Sequence, residues 1–429
     1  MSDKIAPRIG FAWDIKGDGK WKSYASFGRF FDITKLEMPR GSLGGEQWHQ
    51  YYWTLDTLDW KSINCQEGTT GCPGRLLEVS TLRFGSNEAN NPETVDVMLK
   101  YFGEVRNVIQ DDIKPTQSQE FTIGLDHELS ARTSVGVRYV HNWITRAIED
   151  FGWNEAGTEF YFIGNPGWGS IGELDFLWGP GKAYQPINGQ KFPQQKPVRD
   201  YDAVELSFKK RLSNRWSGLA TYTWSRLYGN YPGLASSDEA GGGTARLSPN
   251  VNRLYDGPWM MYDTHGQPVL GRLNTDRPHY LKLQGTYDLP WGTNVGINWY
   301  ARSGALFSKY ITYQGYSWVF YDGRGNLGRT PVEQAMDLLV QHDFRLGGNK
   351  KVNLSLNVAN VFDNDVETSI YGRQYRSSFT LTPIESFFAG FDPVAVAEAR
   401  PTILTDPLYG QKNLFLGRRD IRLGVRFSF

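Results

Sequence analysis

The chain has 429 residues, 14% of them aromatic and 47 of them glycine, with a mean hydropathy of -0.48. Forty-six Lys and Arg balance 46 Asp and Glu, so no net field draws it to nucleic acid or to an anionic surface. No stretch approaches the roughly 18 consecutive apolar residues of a membrane helix, and "MSDKIAPRIGFAW" has no signal-peptide core.

The first element is "PRIGFAWDI", where Ile9, Phe11, Trp13 and Ile15 alternate with Arg8, Gly10, Ala12 and Asp14. A period of two predicts a strand. After the turn "KGDGK", "WKSYASFGRFFD" is a second strand with poor alternation. A long segment follows, roughly 33–116. It holds the aromatic cluster Trp48, Tyr51, Tyr52, Trp53 and Trp60, then "CQEGTTGC" with Cys65 and Cys72, the only cysteines. These two can close a small disulfide loop in an oxidising compartment or stand as separate thiols; no further metal ligands lie nearby. "NPETVDVMLKYFG" predicts a short helix, with Asn91 as N-cap, Pro92 at the first position and Val95, Met98, Leu99 and Phe102 at helical spacing.

Strands resume at "EFTIGLDHEL" and, across "SART", at Val135, Val137 and Tyr139. The segment 147–199 carries a second aromatic cluster, Trp153, Phe160, Tyr161, Phe162 and Trp168. Three further pairs follow: "DAVELSFKKRL" with "RWSGLATYTWSRLY", "HYLKLQGTYDLP" with "TNVGINWYARS", and "MDLLVQHDFRL" with "KVNLSLNVANVF". Their turns are minimal, as hairpins require. The last strand is "DIRLGVRFSF".

Short turns therefore alternate with long segments, so one end of the sheet is trimmed and the other elaborate. A soluble sandwich or propeller has no reason to sort its connections this way. An outer-membrane barrel does: short periplasmic turns, long outer loops, strands of about ten residues, apolar residues toward lipid and polar ones toward the lumen. Arg8, Asp14, Glu120, Asp126, Arg138, Glu205, Lys282, Asp288, Asp337 and Arg345 fall on the lumen side. Trp13, Trp21, Tyr139, Trp143, Trp216, Trp224, Tyr287, Trp291 and Trp299 are candidates for the interfacial girdles. The expected fold is all-β: a transmembrane antiparallel up-and-down barrel, of which roughly eleven strands are present.

"PRIGFAWDIKGDGKWKSYASFGRFFD", "DDIKPTQSQEFTIGLDHEL", "NTDRPHYLKLQGTYDLPWGTNVGINWYARSG", "LNVANVFDND" and the final strand resemble the barrel portion of TonB-dependent outer-membrane receptors, most of all the Oar-like branch. The resemblance implies a barrel of about 22 strands filled by an N-terminal plug and energised by the TonB complex. Residues 1–429 are then the C-terminal half of such a barrel, without plug, TonB-contacting segment or signal peptide. It also implies a barrel-assembly signal at Arg422, Gly424, Phe427 and Phe429, read by the assembly machinery. The implied partners are outer-membrane lipid, that machinery, the TonB complex through the missing N-terminal part and an extracellular substrate; no cofactor and no nucleic acid are implied.

No nucleophile elbow, phosphate loop or zinc spacing occurs. Asp126 beside His127, and His342 beside Asp343, cannot act as dyads, because adjacent strand residues point to opposite faces. Recognition is expected on the loops, with Trp48, Tyr51, Tyr52, Trp53, Trp153, Tyr161 and Trp168 as candidate contacts to a carbohydrate or a peptide; packing of the loops on each other is the competing use of these rings. Acidic stretches such as Asp111 and Asp112, or "DGRGN" at 322–326, read as turns rather than calcium loops. An outer-surface adhesion receptor, an outer-membrane enzyme and a soluble carbohydrate-binding protein are the alternatives to a transporter.

Overall fold

The computed structural model describes residues 5–32, 47–54, 76–83, 110, 112–155, 158–169, 195–233, 258–315, 317–348, 350–381 and 385–429. Eleven long strands follow one another: β1 (Arg8–Asp14), β2 (Trp21–Phe31), β3 (Gln117–Ser130), β4 (Thr133–Arg146), β5 (Arg199–Ser213), β6 (Trp216–Gly229), β7 (His279–Asp288), β8 (Thr293–Arg302), β9 (Glu333–Gly347), β10 (Lys350–Ala359) and β11 (Asp420–Ser428). Each pairs antiparallel with its predecessor, so spatial order is chain order, and the two-residue strand Gly271–Arg272 extends the end of β6. This is the up-and-down meander that the alternation predicts. Among the described residues the sheet does not close on itself: β1 and β11 each pair on one side only.

The register keeps the two faces separate across the whole sheet. Leu125, Val137, Leu206, Tyr222, Leu281 and Ala301 are cross-strand neighbours in turn, and Ile297, Leu338, Val358 and Ile421 continue the same face to the last strand. On the opposite face Lys22, Asp126, Gly136, Ser207, Thr221, Lys282 and Tyr300 stand side by side. Leu423 and Val425 are 83% and 75% exposed on the apolar face. An apolar surface of that extent needs a non-aqueous neighbour, and lipid supplies one.

A paired substitution tests the assignment of faces. Leu206→Arg, in the middle of β5 on the apolar face, is expected to cost about 2 to 4 kcal/mol at the bilayer midplane, while Gln284→Arg on the polar face leaves folding into lipid vesicles unchanged. Equal urea midpoints for the two variants would contradict the assignment.

Aromatic side chains collect at both ends of the apolar face. Trp13, Trp216, Tyr287 and Trp291 are exposed at the turn end, Trp216 directly opposite Tyr287, and Trp224 is exposed toward the loop end. The weak alternation of β2 has a local cause. Phe30 falls on the polar face, lying over Gly28, whose missing Cβ would sit 2.8 Å from the ring, and under the Arg8 guanidinium at 4.6 Å. The same pairing of ring and glycine recurs where Tyr24 covers Gly124, filling the gap that a glycine leaves in a sheet.

At the turn end the connections are as short as expected. Asn214 and Arg215 form a two-residue turn with φ of 50° and 69°, the left-handed pair whose twist matches a hairpin. The other end is folded rather than loose. Gln47–Trp53 pairs with Leu76–Arg83, and Glu149–Glu155 with Thr158–Gly164. A short helix, Pro393–Ala399, starts at Asp392, whose Oδ1 accepts the Val394 amide at 2.9 Å. Cys65, Cys72 and the helix expected near 91–102 lie outside the described residues.

Candidate functional site

The polar face is a ladder of short side chains bonded from strand to strand. Gln284 Nε2 donates to Asn298 Oδ1 at 3.1 Å, Asn298 Nδ2 to Asp337 Oδ2 at 3.2 Å, and the Asn360 amide to Asp337 Oδ1 at 3.0 Å. Nearer the turn end Asn294 donates to Asp288 at 2.7 Å, and Asp343 accepts from Asn353 at 2.7 Å and Lys351 at 3.0 Å. Arg138 Nε reaches Glu205 Oε2 at 2.8 Å. Exposed pairs of this kind contribute about 0 to 1 kcal/mol each. Their effect is chemical: the wall is wettable throughout and offers donors and acceptors along its length.

Two carboxylates at the loop end are fully buried, and both clamp separate segments together. Asp276 accepts the Leu227 amide at 2.7 Å and Arg272 Nη1 at 3.1 Å, and it pairs with Arg329, which also donates to its backbone carbonyl at 2.6 Å. Glu333 lies between Arg277 at 3.0 Å and Arg302, whose Nε donates at 2.8 Å. A third anchor, Asn360, has φ of 50°; its side-chain Nδ2 donates to the carbonyls of Asn364 at 2.8 Å and Gly417 at 2.7 Å. Asp276 and Arg277 stand in "NTDRPHYL" and Asn360 in "NVANVFDND", stretches that the alternation pattern leaves unexplained.

Above the anchors, four connections share one hydrophobic core. Ala147, Tyr231, Trp259 to Tyr262, Val269, Tyr310, Ile311, Tyr313, Val319 to Tyr321, Tyr375, Phe379, Phe387 and Phe388 are its buried members. Trp259 meets Tyr313 edge-on with centroids 5.3 Å apart, and Tyr313 meets Phe387 at 4.9 Å. The backbone is stitched as well: the Phe379 amide donates to Thr312 O at 2.8 Å and the Gln314 amide to Phe379 O at 2.9 Å. The result is an outer cap with its own interior.

Burial pushes the Tyr310 phenol up to about 12, Arg373 opposing and Asp406 reinforcing it; burial does the same to Tyr262, against the hydrogen bond from Gln195. Both exceed the ordinary tyrosine value of 10. Folding therefore favours the neutral phenols, and the stability they contribute is full below pH 10 and lost as pH rises toward 12. Titration followed by phenolate absorbance is expected to show a late-ionising component that Tyr262→Phe and Tyr310→Phe each reduce. At the acid end, burial raises the Asp406 carboxyl, but the Leu408 amide and the Arg373 guanidinium more than offset it and hold it below the usual carboxylate range.

The wall carries a recess of about 670 Å³ between β3 and β7, with Glu120, Arg138, Arg199, Glu205, Arg277 and Lys282 among its lining. Of the aromatic candidates, Trp168 is 40% exposed with Lys196 Nζ 3.9 Å above its ring. Trp48, Tyr51, Tyr52 and Trp53 lie on the Gln47–Trp53 strand, and Trp153 and Tyr161 on the second hairpin; their side chains lie outside the described residues. Asp126 and His127 are on opposite faces, His127 stacked on Trp21 at 3.7 Å. Asp322 is held by Lys309 at 2.6 Å within its turn. Arg422, Gly424 and Phe427 sit in β11 and Phe429 just beyond it; Arg422 pairs with Asp420 at 2.7 Å, and Gly424 faces Ser355.

A family model described as an outer membrane beta barrel domain matches residues 2–304. The TonB-dependent transporter Oar of Myxococcus xanthus is 27% identical over 381 residues, covering 85% of this chain and 32% of that protein. The chain thus spans about a third of the length of this curated relative. Among solved structures, the outer membrane transporter YddB from Escherichia coli aligns at 12% identity with a TM-score of 0.46, over 85% of this chain and 38% of that one. The copper transporter OprC aligns at 11% identity with a TM-score of 0.42, over 99% and 40%.

Proposed function

We propose, since the chain belongs to the outer membrane beta barrel domain family, that it builds part of the wall and the outer mouth of a TonB-dependent receptor that carries an extracellular ligand inward. Its place is the bacterial outer membrane. The observation behind the reading is the pair of unlike faces kept in register over eleven strands, one apolar and one hydrogen-bonding, with a folded cap at one end only. In this reading the free edges of β1 and β11 pair with further strands, because an unpaired backbone group in lipid costs several kcal/mol. Outer-membrane lipid, the barrel-assembly machinery and the TonB complex are the partners, and Arg422, Gly424, Phe427 and Phe429 form the assembly signal.

Uptake by cells carrying the full-length receptor tests the proposal. Accumulation of ligand is expected to stop when an uncoupler collapses the proton-motive force. The cap favours one second reading, a surface receptor for adhesion, because a packed aromatic interior gives a macromolecule a fixed surface to dock on. Binding that is undiminished by the uncoupler, with no internalised ligand, would support adhesion and reject transport.

A further inference from the structure

The recess in the lumen wall is unevenly charged. Arg138, Arg199, Arg277 and Lys282 line it, against the two carboxylates Glu120 and Glu205. Glu205 is taken up by Arg138, and Glu120 accepts from Asn142 Nδ2 at 3.3 Å. Arg277 is held by Glu333 from behind the lining. Arg199 and Lys282 remain, opposed only by the charge of Glu120, which a neutral amide donor does not cancel, so the lining keeps a positive excess. Among the described residues neither has a carboxylate partner, and the Lys282 ammonium lies over the Tyr280 ring at 4.4 Å. Thr275 Oγ1, on the same lining, is buried with no hydrogen-bond partner.

Arg199 is partly buried on this lining while Lys282 is exposed to the lumen, and a partly desolvated guanidinium beside an unsatisfied hydroxyl is unfavourable unless an anion joins them. The cavity lies within the 300–1,000 Å³ range of small-molecule sites. We infer that this recess binds the oxyanion group, carboxylate or phosphate, of a small ligand, with Arg199 and Lys282 as its charge partners and Thr275 as a donor. The inference rests on the receptor reading above and gives that receptor a substrate class. Charge-assisted bonds to oxyanions are about twice as strong as neutral ones, so charge rather than shape should dominate selection here.

Calorimetric titration of the detergent-purified full-length receptor tests this, with digalacturonate as the carboxylate probe, pyrophosphate as the phosphate probe and a neutral digalactoside as the control. At least one anion is expected to bind about tenfold or more tightly than the neutral sugar, a gap of about 1.4 kcal/mol; which anion does so identifies the source of the oxyanion. Arg199→Gln combined with Lys282→Gln should weaken that binding by about tenfold, and Lys282→Arg should retain most of it. The shift in gel mobility between unheated and heated samples verifies that each variant is folded. Binding of the neutral sugar as tightly as the anions, binding of neither anion at millimolar concentration, or a folded double variant with unchanged affinity would each overturn the inference. Because the titration uses no energised membrane, the two readings fail separately. Anion binding without uncoupler-sensitive uptake removes transport and keeps the recess, while uptake without anion discrimination removes the recess alone.

Discussion

Asp276→Ala is expected to detach the outer cap while leaving the barrel wall intact. The carboxylate is fully buried and holds the Leu227 amide at the end of β6, Arg272 on its own connection and Arg329 on the next. Removing one member of a buried charge cluster leaves the others uncompensated, a loss of about 3 to 5 kcal/mol. The exposed lumen pairs, at about 0 to 1 kcal/mol each, offer no comparable lever. External protease on intact cells is expected to cut the connections around 258–278 and 303–332 in the variant and spare them in the parent. Glu333→Ala should behave alike, since Arg277 and Arg302 converge on it. Matching cleavage patterns in parent and variants would mean that the aromatic core alone secures the cap.

Phe429→Ser is expected to keep most newly made receptor out of the outer membrane without lowering its synthesis. Phe429 is 91% exposed and stacks on Phe427 with centroids 5.8 Å apart, extending the apolar face past the end of β11. No packing inside the sheet depends on it, so a folding defect is not the expected route; a change in recognition by the assembly machinery is. Phe344→Ser, another exposed apolar residue toward the turn end of the same face, serves as the control for lost hydrophobicity. Surface display of Phe429→Ser at the parent level would refute the assembly role.

The strands were legible in the sequence because one physical rule generates them. When one face meets lipid and the other water, alternation is enforced at every position, and residues as distant as Ile9 and Ile421 obey it. Where a residue answers to a neighbour instead of a solvent, the rule fails. Phe30 sits on the polar face because Gly28 leaves it space. The cap was illegible for a related reason: Trp259, Tyr313, Phe379 and Phe387 follow no period, and the contacts of this core join distant segments, Trp259 with Tyr313 and Tyr262 with Phe388. Asp276 and Asn360 stand in "NTDRPHYL" and "NVANVFDND", but nothing in the spacing distinguishes a buried clamp from an ordinary turn residue. The recess drew on five strands, and only the register shows that Arg138, Arg199 and Lys282 share it.

The composition of the cap core also makes it a shared property. Its members come from connections that follow β4, β6, β8 and β10, so no single hairpin brings enough of them to form it. Tyr313 of one connection touches Trp259 of the one before and Phe387 of the one after, so shortening any of these segments withdraws rings from its neighbours. Loops that pack only on themselves can vary one at a time; these four are tied to one another and change together.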